Sequence, residues 1–179
     1  MAERPTAREA ILDAFVEVVV EQGERAATLQ AVAEHAGVSK GGLLYHFGSR
    51  EALVEGLAQR LDALGAEDAE ALRGEADPVA RFIRGSIVRE TAIDRAFVAA
   101  FRLIQSEQHA SLREALQRVD DGYRGVIADA IGDDLAPVVA LMSDGIYLRS
   151  GLDPAWAPSD GDVERIVTAV DDIVRRARD

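Results

Sequence analysis

The 179-residue sequence predicts an all-α protein of about nine helices. Apolar residues recur at three- and four-residue intervals, as on one face of a helix, and strand-type alternation is scarce. Cap and stop residues punctuate the chain at helix-length intervals. Aromatics make up only 5% of the residues while alanine and leucine are plentiful, which favours helices over pleated strands.

Each element has its own signal. Thr6-Ala7-Arg8-Glu9 fits a capping box, the stripe Ile11, Ala14, Phe15, Val18 and Val19 follows, and Gly23 fits a C-terminal stop; a helix over 7–22 results. Thr28 caps a second helix with Leu29, Val32, Ala33 and Ala36 inward, ended by Gly37. Ser39 caps a short third helix reaching Phe47, and Ser49 caps a long fourth one to about Leu72. Asp77-Pro78 opens the fifth, whose inner face is Val79, Phe82, Ile83 and Ile87. Ile93, Phe97, Ala100, Phe101 and Ile104 form the expected inner face of the sixth. Leu112, Ala115, Leu116, Val119, Tyr123, Val126 and Ile127 do so for the seventh. The eighth runs from about Asp134 to Ser150. The Pro-containing stretch GLDPAWAPSDG then leads to a last helix with an apolar seam from Val163 to Ala177.

Composition narrows the function classes. With 48% apolar and 29% charged residues the chain reads as globular, and no apolar run approaches the ~20 residues of a membrane span. The N-terminus lacks the order of a signal peptide, and the absence of cysteine excludes disulfides and thiolate metal sites, so the expected address is the cytoplasm. A net charge of −12 argues against a nucleic-acid partner until its distribution is considered. From His35 to Arg50 there is no acid, and that island holds Lys40, the only lysine.

Residues 28–47 read as helix, tight turn, helix, the helix-turn-helix plan in which the second helix enters the major groove of DNA. AGVSKG, then Leu43, Tyr45-His46-Phe47 and Ser49-Arg50-Glu51-Ala52-Leu53 follow in order. Over about residues 5–60 the sequence thereby resembles the DNA-binding domain of the tetracycline-repressor (TetR) family of transcriptional regulators. The resemblance implies a three-helix DNA-binding domain over 1–48. A helical ligand-binding and dimerisation domain would cover 49–179, with helix 49–72 connecting the two.

With that docking, Ser39, Lys40, Gly41 and Gly42 start the groove helix, and the glycines let the backbone approach DNA without a side-chain clash. Lys40 reaches either a guanine edge or a phosphate. The resemblance assigns phosphate contacts to Tyr45 and His46 and a cationic clamp to Arg50; for His46 a packing role competes. Thr28 is expected both to cap its helix and to donate to a phosphate, and Gln30 to help read sequence. Gly42 and Leu44 depart from the family's commoner Thr and Tyr, which removes two hydroxyl contacts. Leu44 then meets a thymine methyl or packs against Phe47.

The resemblance also implies a homodimer whose last two helices form a four-helix bundle, built here from Val138, Val139, Met142, Ile146, Val163, Ile166, Val167, Val170, Ile173 and Val174. It implies an effector pocket among the middle helices, for which Phe82, Phe101, Tyr123, Met142, Asp144 and Tyr147 are candidates. Asp144 either meets a polar ligand group or faces solvent. The expected partners are an operator duplex, a second copy and an unidentified small molecule, with no membrane, metal or cofactor. The competing readings are an all-α adaptor without DNA binding and a carboxylate enzyme. The enzyme would need paired Glu-x-x-His sets that His35, His46 and His109 do not make.

Overall fold

The computed structural model describes residues 6–87, 91–105, 109–152 and 158–178. Among them are nine α-helices and no strand: α1 (Ala7–Gln22), α2 (Leu29–His35), α3 (Lys40–His46), α4 (Arg50–Arg73), α5 (Pro78–Gly85), α6 (Ala92–Leu103), α7 (Ala110–Ile131), α8 (Ala136–Leu152) and α9 (Asp160–Arg178). A single 3-10 turn, Glu24–Ala26, follows α1. The chain falls into two compact units. The first comprises Met1–Leu64 with Glu90–Arg118, the second Gly65–Arg89 with Val119–Asp179. The units therefore do not follow a cut at residue 48, because α6 and the start of α7 group with the first three helices.

In the first unit the Thr6–Glu9 capping box forms in both directions, and Gly23 ends α1 at φ 87°. α1 is buried more widely than one stripe, through Ile11, Leu12, Ala14, Phe15, Val16, Val18 and Val19, because α2, α3 and α6 all pack on it. α6 meets α1 with a different face from the expected one. Asp94, Ala96, Ala99, Ala100 and Leu103 are buried, whereas Ile93, Phe97 and Ile104 are half-buried and Phe101 is exposed. Small residues let two helices approach closely, so alanines rather than phenylalanines make this contact. Buried Asp94 is satisfied as the third residue of a capping box, accepting from the Thr91 N–H and hydroxyl. Arg102 of α6 donates to the carbonyls of Val19 and Val20 in the last turn of α1, the former shared with the capping N–H of Gly23.

The second unit has its own core, drawn from Leu72 of α4, Val79 and Ile83 of α5, Val126 and Ile127 of α7, Val139 and Ile146 of α8, and Val167, Val170 and Val174 of α9. Asp77 caps α5 with Pro78 at its first position, and Ile87 packs on the core from beyond the helix end. Arg84 grips Glu164 with two hydrogen bonds of 2.7 and 2.9 Å, joining α5 to α9. Asp153–Ala157, the middle of the expected loop before the last helix, lie outside the described residues.

Candidate nucleic-acid interface and effector region

The helix-turn-helix is built by local rules. The Thr28 hydroxyl accepts from the Ala31 N–H and the Ser39 hydroxyl from the Gly42 N–H, capping α2 and α3. Between them Gly37 adopts φ 68°, a conformation other residues rarely take, and the Val38 N–H closes the turn on the Ala33 carbonyl. Val32, Ala33, Leu43 and Phe47 turn inward, and Phe47 lies against Gly56 of α4, where an added Cβ would come within 2.8 Å of its ring.

What α3 presents outward is Lys40, Gly41, Leu44, Tyr45 and His46, all exposed, with the Tyr45 side chain at 86% exposure and edge-on to His46. Leu44 and Tyr45 stay exposed on this seven-residue helix, and neither belongs to the buried core. Gly41 has ordinary helical backbone, and a Cβ there would meet no neighbouring atom closer than 4.0 Å. Neither strain nor crowding among the described residues calls for glycine at that position. At Gly42 a Cβ would sit 3.3 Å from the capping Ser39 hydroxyl, so glycine there keeps the cap undisturbed.

The remaining expected DNA residues are more engaged. The Thr28 hydroxyl uses its acceptor in the cap and keeps its hydrogen for a further partner. Gln30 donates to Glu34 at 2.7 Å. Arg50 is half-buried; its Nη2 lies 3.4 Å from the Glu24 carbonyl and 3.3 Å from the Glu24 carboxylate. Glu24 is not marked by the sequence, because it lies well before the acid-free island and meets Arg50 only through the fold. His35 pairs with Glu17 at 2.7 Å.

The effector candidates are divided between the two units. Phe82 and Tyr123 form a tilted ring pair, 5.5 Å between centroids, and the Tyr123 hydroxyl donates to Asp68 at 2.8 Å. Met142 packs on the same core and Tyr147 is half-buried. Phe101 belongs to the first unit and is 45% exposed. Asp144 is exposed, because Ser143 and Ile146 take the inward positions of α8. Enough of its carboxyl is covered that burial, and secondarily the Asp120 carboxylate, raise its pKa above the usual range. The buried polar groups of this unit are instead Ser86 and Ser143, whose hydroxyls meet at 2.7 Å.

The expected dimer seam also divides. Val139, Ile146, Val163, Val167, Val170 and Val174 are buried within one chain, Val170 at 1% exposure, so these residues are core rather than free surface. All of these but Val163 belong to the core shared with α5. The apolar residues left outside are Val138, Leu141 and Leu148 on α8 and Ile173 on α9, with Met142 and Ile166 half-buried.

The profile of the bacterial regulatory proteins of the tetR family matches residues 11–57. Over 165 residues the chain is 30% identical to the HTH-type transcriptional regulator BetI of Rhizobium meliloti (strain 1021), covering 84% of this chain and 81% of that one. A transcriptional regulator from Saccharomonospora viridis, solved in complex with choline, shares the fold at TM-score 0.72 and 17% identity over 94% of this chain and 95% of its own. The multidrug binding protein EbrR complexed with malachite green does so at TM-score 0.70 and 21% identity, over 93% and 98%. Among the described residues no helix is long and apolar enough to cross a membrane.

Proposed function

The chain belongs to the tetracycline-repressor (TetR) family of helix-turn-helix transcriptional regulators, and from that premise we propose a cytoplasmic homodimeric repressor that a small molecule releases from a palindromic operator. The observation that carries this reading is the outer face of α3. It is free of acids, exposes Lys40, Leu44 and Tyr45, and keeps a glycine at 41 that nothing among the described residues requires. A groove wall pressed against the backbone gives Gly41 its reason. Lys40 takes a base edge or phosphate, Tyr45, His46 and the Thr28 hydroxyl take phosphates, Arg50 clamps one more, and Gln30 reads from the start of α2. No chemical transformation is assigned to the protein.

Residues 1–48 carry DNA binding, and 49–179 carry dimerisation and effector binding. The dimer face is Val138, Leu141, Leu148 and Ile173, flanked by Met142 and Ile166. Its two-fold axis would set two α3 helices on half-sites about one helical turn apart. The effector region is centred on Phe82, Tyr123 and Met142, with Tyr147 beside them. Its polar groups are Asp68, Ser86 and Ser143. Aromatic rings beside carboxylates attract organic cations through ring faces and charge together. Choline and malachite green, held by two proteins of the same fold, are organic cations. The effector is accordingly an organic cation with an apolar body. It acts by binding the DNA-incompetent arrangement more tightly than the competent one.

The test is selection of binding sites from random duplex DNA, followed by titration of organic cations onto the selected operator. Recovery of an inverted repeat and its release by a cation support the reading. A protein that enriches no sequence and binds no duplex at low salt is not this regulator.

A further inference from the structure

One carboxylate oxygen in the first unit stands between two nitrogen groups. Oε1 of Glu24 lies 3.3 Å from Nη2 of Arg50 and 3.6 Å from Nε2 of His109. The His109 side chain is 6% exposed, and Nε2 has no hydrogen-bond partner among the described residues. Buried polar nitrogens are rarely left so, because an unmade hydrogen bond in the interior costs free energy. The gap to Glu24 is only a few tenths of an ångström beyond bonding length. With its proton on Nδ1, the imidazole turns a lone pair toward the carboxylate and holds it off. A proton on Nε2 replaces that repulsion with a charge-assisted N–H···O bond.

The three residues sit at element boundaries. Glu24 opens the 3-10 turn after α1, Arg50 is the first residue of α4, and the His109 carbonyl accepts from the Arg113 N–H at the start of α7. A small shift of Glu24 therefore changes Arg50 without disturbing a helix interior. Two other charged groups lie near His109. Glu51, beside Arg50, feels the imidazole's charge; its own N–H, then the Ser49 hydroxyl, hold its carboxyl below the usual range. Arg113 donates to the Ile104 carbonyl at 3.1 Å.

We propose that Glu24 and His109 are positioning residues that set how freely Arg50 engages a DNA phosphate. In the free protein Glu24 holds the guanidinium back. Protonation of His109 draws the carboxylate away and releases Arg50. Histidine ordinarily titrates between about pH 5 and 8, so DNA affinity rises as pH falls through that range. By linkage, DNA binding promotes proton uptake. This inference rests on the reading of Arg50 as a phosphate contact.

The experiment measures binding of a fluorescein-labelled random-sequence duplex of about 20 base pairs to wild type, Glu24→Gln, His109→Gln, Arg50→Ala and the Glu24→Gln/Arg50→Ala double variant. Titrations at about pH 6, 7 and 8 cover the histidine range. Circular dichroism and melting temperature confirm folding of each. Glu24→Gln should bind about two- to fivefold tighter at pH 8, the scale of one partly exposed ion pair. It should also lose part of the pH dependence. His109→Gln should lose the same part; His35 and His46 remain in every variant, so the difference isolates His109. On the Arg50→Ala background, Glu24→Gln should have no effect. If Arg50→Ala binds like wild type, the phosphate-clamp reading fails first. If Arg50→Ala weakens binding but folded Glu24→Gln matches wild type in affinity and pH profile, the positioning inference alone is overturned. Glu24 is partly exposed, so that variant decides the matter even where His109→Gln fails to fold.

Discussion

At Gly41 the chain forgoes a side chain that its own structure would accept, in a helix where glycine costs ~1 kcal/mol against alanine. Gly41→Ala should therefore leave thermal stability unchanged or raise it by up to ~1 kcal/mol, while weakening DNA binding. Stability lost together with binding would move the reason for the glycine back inside the protein. Lys40 and Arg50 separate by salt. A phosphate contact contributes about one unit to the slope of log affinity against log salt. Arg50→Ala should remove such a unit equally on selected and random DNA. Lys40→Ala should do the same if Lys40 holds a phosphate, and should instead relax base preference at one position if it reads a guanine edge. A fluorescence-anisotropy salt series on both duplexes distinguishes these outcomes. Glu24 and His109 were beyond reach from the sequence, since the Glu24–Arg50 contact spans 26 positions and only folding brings it together.

Among the elements, what a few neighbouring residues decide was legible in advance. The caps at Thr6, Thr28, Ser39, Ser49 and Asp77 all form, because a hydroxyl or carboxylate three residues before an amide needs no tertiary help. Helix faces were harder. The inward side of α6 is set by alanines that fit α1, whereas hydrophobicity alone favours the bulkier phenylalanines. On α9 periodicity revealed a buried seam but not what buries it, and Val163, Val167, Val170 and Val174 lie in their own chain's core. Val170→Ala should thus cost about 2 kcal/mol in urea unfolding. Exposed Ile173, changed to Ala, should raise the dimer dissociation constant with little effect on the fold; the reverse pattern would restore the original seam. Acid provides another measurement. The Thr6 N–H and then its hydroxyl hold the Glu9 carboxyl below the usual range, and the Ser159 hydroxyl and then its N–H do the same for Asp162. A lowered folded-state pKa means stabilisation present above the ordinary carboxylate value and lost as pH falls below about 4. Helicity by circular dichroism should decline there, and less so in a Glu9→Gln variant that has no charge to lose.

For the whole molecule the decisive surface is the apolar row on α8. Leu141 is 71% exposed, with Val138 and Leu148 on either side of it along the helix. Leu141→Glu should yield a folded monomer by sedimentation, because a charge tolerated in water becomes unpaired once a second copy covers it. A dimer that persists in this variant places the interface elsewhere. Loss of the dimer should reduce operator affinity far more than affinity for a single half-site, since two linked contacts act at high effective concentration. The exposed start of α3 also has a practical consequence. Lys40 provides the only side-chain amine in the chain, so an acylating reagent aimed at lysines has one side-chain target, on the surface assigned to DNA. Coupling the protein to a sensor chip through that amine would tether it by α3 and hide the face proposed to bind the duplex. A dye placed there would remove the Lys40 charge and crowd the same face, so labelling should weaken duplex binding and duplex should slow labelling.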